Sequence, residues 1–163
     1  MMTSILRFVQ VFALGTWLGS IFYFSAAVAP GAFRVLGNQD QAGMLVEFTL
    51  RRLHTLGVIA GLLFLLASAA VAVSSSGAGR RLILPVAGVV IMVVLTIVSQ
   101  HVVIRRMTAL RREMVSVMAT PPENPLRVEF DRLHGVSVRL EGATLLIGLV
   151  AFFLTVRGFS AGK

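Results

Sequence analysis

Apolar residues in this chain neither alternate with polar ones at a strand period nor form a one-sided helical stripe. They gather in four runs: Phe8 to Ala29, Leu53 to Val73, Leu82 to Ile104 and Val136 to Val156. A bilayer core needs about 20 helical residues to cross, and each run meets that length. Lipid offers no partner to backbone polar groups, so each run must satisfy its own as an α-helix. The pattern predicts an all-α integral membrane protein, a four-transmembrane-helix bundle built as a single domain over residues 1–163. The stretch Ser74-Ser75-Ser76-Gly77-Ala78-Gly79 reads as a tight connection, making the second and third helices antiparallel neighbours. Past the third run, Met107, Leu110, Met114 and Met118 share a stripe, which predicts an amphipathic helical extension from Arg105 to Met118 within a loop of about residues 105–133. Its methionines read as a packing face ahead of a soft-metal site. Thr120-Pro121-Pro122-Glu123-Asn124-Pro125 then turns the chain back.

Two of the runs open alike. Arg52-Leu53-His54 stands at the start of the second and Arg132-Leu133-His134 just before the fourth, 80 residues later. Both helices run in the same direction, so the pattern predicts two repeated helical hairpins related by a pseudo-twofold axis.

Composition agrees with the spans. Only 13% of the 163 residues are charged and mean hydropathy is +0.88, which excludes an ordinary water-soluble domain and a disordered chain. The net charge of +8 comes from arginines at the ends of apolar runs, so it is explained by topology and excludes nucleic acid as the expected partner. Nine Lys and Arg residues flank one side of the bundle and five the other. The positive-inside rule then places the nine-residue side in the cytoplasm and both termini outside, with a bacterial cytoplasmic membrane as the expected location. Arg7, the apolar run after it and Ser25-Ala26-Ala27-Val28-Ala29 resemble a secretory signal. The run is too long for one and Pro30 opposes cleavage, so the helix is expected to be retained. The chain has no cysteine, which excludes disulfides, thiolate metal sites and iron–sulfur clusters.

Candidate chemistry lies near the arginine-rich side. His54 begins the second run, His101 nearly ends the third and His134 precedes the fourth, so alternating helices should bring all three within about 5 Å in depth. Gln100 and Ser99 accompany His101, and Ser137 and Glu141 follow His134 on one helix face. A carboxylate inside a span is costly and is a functional candidate. Arg139 points about 200° away from Glu141 around the helix and is expected to snorkel to the interface. Three readings stay open for the group: helix capping and packing, a ligand site for haem b or a divalent metal held by His54, His101 and His134, and a proton or substrate pathway. Gly15 with Gly19, and Gly57 with Gly61, form GxxxG patterns that predict close packing inside the bundle. Trp17 sits mid-span, where its indole N–H should require a partner.

Gly15-Thr16-Trp17-Leu18-Gly19-Ser20, with Ala29-Pro30 and Phe33, resembles the first helix of the transmembrane protein 205-like family, also catalogued as domain of unknown function 4149. Phe130-Asp131-Arg132-Leu133-His134-Gly135-Val136-Ser137 and Leu140-Glu141-Gly142 resemble its last helix. The resemblance implies four spans, no established activity and a hint of metal or small-molecule handling. A looser likeness to copper resistance D membrane proteins lacks the Cys and Met ligands that copper would need. No nucleophile–base pair, phosphate loop or metalloprotease spacing is present. The expected function is therefore not enzymatic. It is a small-molecule or metal binding or transport module lined by His54, His101, His134 and Glu141, in the lipid bilayer, with a homo-oligomer or a membrane-complex partner open. The alternatives are a haem b protein with histidine axial ligands and a structural or assembly subunit.

Overall fold

The computed structural model describes residues 2–74 and 78–160, so Ser75 to Gly77 of the expected tight connection lie outside the described residues. Four long helices account for nearly everything else: α1 (Met2–Val35), α2 (Gln39–Ser74), α3 (Gly79–Met114) and α4 (Pro125–Phe159). They pack in a ring, α1 on α2, α2 on α3, α3 on α4 and α4 back on α1, as an up-down-up-down bundle. The protein is an integral membrane four-helix bundle.

Its packing is the reverse of a soluble domain's. No more than 39% of the most apolar window of any span is buried in the bundle, so most of that surface faces outward, where only lipid would accept it. Phe12, Phe22, Leu66, Leu146, Val150 and Phe153 are all exposed. The interior holds Leu14, Trp17, Ile21, Phe64, Val89, Met92 and Ala151, mixed with polar side chains.

The helices outrun the bilayer. At 1.5 Å per residue, the 36 residues of α2 span about 54 Å against a hydrocarbon core of about 30 Å. The excess lies where the sequence is polar, ahead of Leu53 in α2, beyond Ile104 in α3 and ahead of Val136 in α4. Those ends form a helical head at the arginine-rich side. Leu110, Val117 and Phe130 are buried there, with Met107, Met114, Leu126 and Leu133 packed around them. Met107 and Met114 are thus packing residues, as their helical spacing implied.

Polar clamps close the head. Glu47 accepts hydrogen bonds from Arg51 and Thr108, and Arg106 donates two to Glu129. Asp40, ahead of the apolar run, accepts from the Ser116 hydroxyl at 2.6 Å and the Val117 amide at 3.0 Å. The Ser116 hydrogen bond holds the Asp40 carboxyl below its ordinary range. Asn38 caps α2 by accepting from the amides of Asp40 and Gln41, and Asn124 caps α4 just before its Pro125.

Two boundaries differ from expectation. α1 continues through Pro30 to Val35, passing through a π-helical turn at Phe24–Val28. Proline cannot donate to the preceding turn and its ring crowds the carbonyl there, so a wider turn just before Pro30 relieves both conflicts. The amphipathic extension of α3 stops at Met114, short of Met118, which is exposed. It stops because Val115 takes φ 65° and ψ −51°, and the Ser116 amide bonds back to the Met114 carbonyl at 2.7 Å, a γ-turn. A β-branched residue at positive φ costs about 1–3 kcal/mol, and this one is 89% exposed, so little packing offsets the strain. Val115→Gly is expected to raise stability by about 1 kcal/mol, or roughly 2–4 °C in Tm for a protein of this size. An unchanged or lowered midpoint in a detergent melt would contradict the strain.

The hairpin repeat is out of register. His54 of α2 contacts Glu141 of the parallel helix α4, whereas His134 lies seven residues, about 10 Å, nearer the head. The two Arg-Leu-His segments therefore occupy different depths, and His54 is buried where His134 is exposed.

A buried histidine–glutamate pair between the helices

His54 is placed by α2, whose inward stripe runs Leu50, Leu53, His54, Gly57, Ala60, Gly61 and Phe64. Small residues on that stripe let α1 come close. A Cβ on Gly57 would lie 2.3 Å from Trp17 Nε1, and one on Gly61 would lie 2.6 Å from Val93 Cγ2 and 3.1 Å from Trp17 Cζ3. The indole therefore lies over two glycines one and two helical turns beyond His54. Gly15 meets only Phe152 at an ordinary 3.7 Å, and Gly19 meets nothing within 4 Å. Trp17 covers both Gly57 and Gly61, whereas no neighbour closes tightly on Gly15 or Gly19. Close approach elsewhere falls to Gly148, whose added Cβ would meet Leu18 at 2.4 Å and Met92 at 2.7 Å.

The His54 ring is 2% exposed and both its nitrogens are engaged. Nδ1 lies 2.9 Å from Gln100 Oε1 of α3. Nε2 meets Glu141 Oε1 of α4, whose side chain is 13% exposed. With a carbonyl oxygen facing it, Nδ1 must carry its proton. Nε2 and Oε1 then share one further proton, either as imidazolium with carboxylate or as neutral imidazole with carboxylic acid. Both arrangements have zero net charge, which suits an apolar interior.

Two π-helical turns border this pair. One, Ser99–Ile104 in α3, contains Gln100. The antiparallel register fixed by Gln10 on Ser68 and Trp17 on Gly61 brings the other, starting at Phe24 of α1, level with His54. Such turns concentrate at functional sites. Pro30 is the sequence signal for the α1 turn; nothing in the residue pattern marks the α3 turn.

The expected three-histidine cluster is not assembled. His101 follows Gln100 in the chain but is exposed on the outer surface, and His134 is exposed nearer the head. Among the described residues no group of three or more His, Cys, Asp or Glu is placed to hold a metal ion. A haem with two histidine axial ligands does not fit either, since the one buried imidazole has no free nitrogen. Ser137 is buried one turn before Glu141, on the same side of α4. Arg139 is exposed and donates to the Gly135 carbonyl, reaching toward the head as expected of a snorkelling side chain.

Sequence reasoning missed a second polar contact toward the opposite end, where Gln10 Nε2 donates to Ser68 Oγ at 2.8 Å with both residues buried. Trp17 Nε1 and Ser99 Oγ are buried without a hydrogen-bond partner among the described residues. For Trp17 this departs from expectation: its Nε1 is seated against Gly57, which has no side chain to accept from it.

A family model described as domain of unknown function (DUF4149) matches residues 12–116, well over half of the chain. The chain belongs to the DUF4149 family. That match takes in Trp17, His54, Gln100 and both π turns and ends at the turn after α3, short of Glu141. No curated protein and no solved structure matches the chain. DUF4149 membership carries no assigned activity, so function must be argued from the site.

Proposed function

We propose that the protein is a proton-linked binding or transport module, not an enzyme, whose working element is the His54–Glu141 pair steadied by Gln100. The observation that carries this reading is the imidazole held in the membrane interior with Gln100 Oε1 on one nitrogen and a carboxyl on the other. Intramembrane ionisable pairs are costly and recur on proton and ion paths. Removing the shared proton would leave a carboxylate facing an imidazole lone pair, which an apolar bundle tolerates only if another cation replaces it. The pair is therefore suited to exchanging a proton against a proton or a small cation. Among the described residues the further side chain bonded to it is Gln100, which is neutral, and His101 and His134 face outward.

The arginine excess at the head supports an orientation with that end in the cytoplasm and both termini outside. The DUF4149 match, together with the Phe130–Gly142 segment beyond it, supports kinship with transmembrane protein 205-like proteins.

Proton flux into liposomes carrying the purified protein, read with an entrapped pH dye under an imposed gradient, tests the proposal. Wild type should dissipate the gradient, and Glu141→Gln and His54→Gln should slow it at least tenfold while keeping helical circular dichroism. Wild-type liposomes no leakier than empty ones, or Glu141→Gln with undiminished flux, would refute it. The second outcome, together with proteins that co-purify, would favour a structural subunit.

A further inference from the structure

We infer that the bundle holds a bound-water site beside the His54–Glu141 pair, walled by the Ser99 hydroxyl and the Trp17 indole N–H. Four observations converge on one depth. Ser99 directly precedes Gln100, which bonds His54, and is 1% exposed. Trp17, also 1% exposed, lays its Nε1 against Gly57, one turn beyond His54 on the same stripe of α2. Neither polar atom has a hydrogen-bond partner among the described residues. Glu141, on the other side of His54, keeps 13% of its side chain exposed.

A buried donor left unsatisfied is costly, and two at one level beside an ionisable pair point to a shared partner. The indole can only donate, and the serine donates or accepts. A water molecule meets both needs, and buried waters typically make about three hydrogen bonds to such groups. The site begins at a π turn, where the backbone widens and its hydrogen-bond register slips. Above it the interior dries out: Leu14, Phe64, Val89 and Met92 fill the level between Trp17 and the Gln10–Ser68 contact. Water therefore reaches the pair from the head end only. This deepens the proposed function by assigning one side of the membrane as the source of the proton.

The chain has one tryptophan, so uniformly ¹⁵N-labelled protein in micelles gives one indole resonance. In chloride-free buffer, the expected result is a magnetisation-transfer cross-peak from water to the Trp17 indole proton, with exchange in D₂O at least tenfold faster than for the Phe64 amide. Ser99→Val, which replaces the hydroxyl with methyl groups, should reduce the cross-peak at least threefold, and Ser99→Ala, the milder change, should reduce it less. An indole proton as protected as the Phe64 amide, with no water cross-peak, overturns the inference. So does a cross-peak unchanged in both serine variants. A dry indole with pair-dependent proton flux would remove this site and leave the proposed function standing; a wet indole in a protein without flux would do the reverse.

Discussion

Replacing either His54 or Glu141 alone by leucine should destabilise the protein by about 3–5 kcal/mol, whereas replacing both should restore most of the loss. The reason is the shared proton. A lone Glu141 facing an aliphatic side chain in place of His54 must be protonated or remain a bare charge in the bundle, and a lone His54 loses its Nε2 partner while still engaged by Gln100. Two leucines remove both polar groups and leave Gln100 as the only unpaired member. Unfolding midpoints in one detergent, read as a double-mutant cycle, give the coupling directly. Additive single effects would mean that the two side chains do not depend on each other, and the pair would lose its central place. The double variant also separates stability from function: it should fold and carry no proton.

Gly57→Ala is expected to cost about 1–3 kcal/mol, since its methyl group would sit 2.3 Å from Trp17 Nε1 and 2.5 Å from Cε2. Neither atom belongs to a flexible chain end. The indole is 1% exposed and cannot swing aside without moving α1. Gly19→Ala, with nothing within 4 Å, should be neutral or slightly stabilising through helix propensity. Combining Gly57→Ala with Trp17→Leu should cost less than the two single changes added together. Equal melts for Gly57→Ala and Gly19→Ala would show that the indole does not lie on α2 as described.

The four helices were readable because lipid imposes one requirement, apolar length, and residues 8–29, 53–73, 82–104 and 136–156 meet it. The head was partly readable: the Met107, Leu110 and Met114 spacing predicts its packing face, but nothing local forecasts that Val115 would end the helix in a γ-turn. The site was half legible. Depth can be counted at 1.5 Å per residue, which brings His54 and Gln100 to one level. Direction around the helix axis is harder, because a π turn at Ser99–Ile104 shifts every later residue. His101 stands beside Gln100 in sequence and still faces outward. His134 misled through its likeness to His54; the parallel helices α2 and α4 align at Glu141, not at the repeated Arg-Leu-His. The two GxxxG patterns look equivalent as text, and only the seat of Trp17 separates them.

The carbonyl oxygen of Gln100 has an electrical consequence. By pinning the far proton of His54, it leaves the imidazole and its carboxyl partner neutral as a unit, whichever of them holds the inner proton. A transmembrane voltage does work only on charge displaced along its field, about 2.3 kcal/mol per elementary charge per 100 mV across the whole bilayer. A proton hop over a single hydrogen bond crosses a small fraction of that thickness. The resting centre is thus nearly blind to membrane potential, and under the proposed function it answers to acidity at the head.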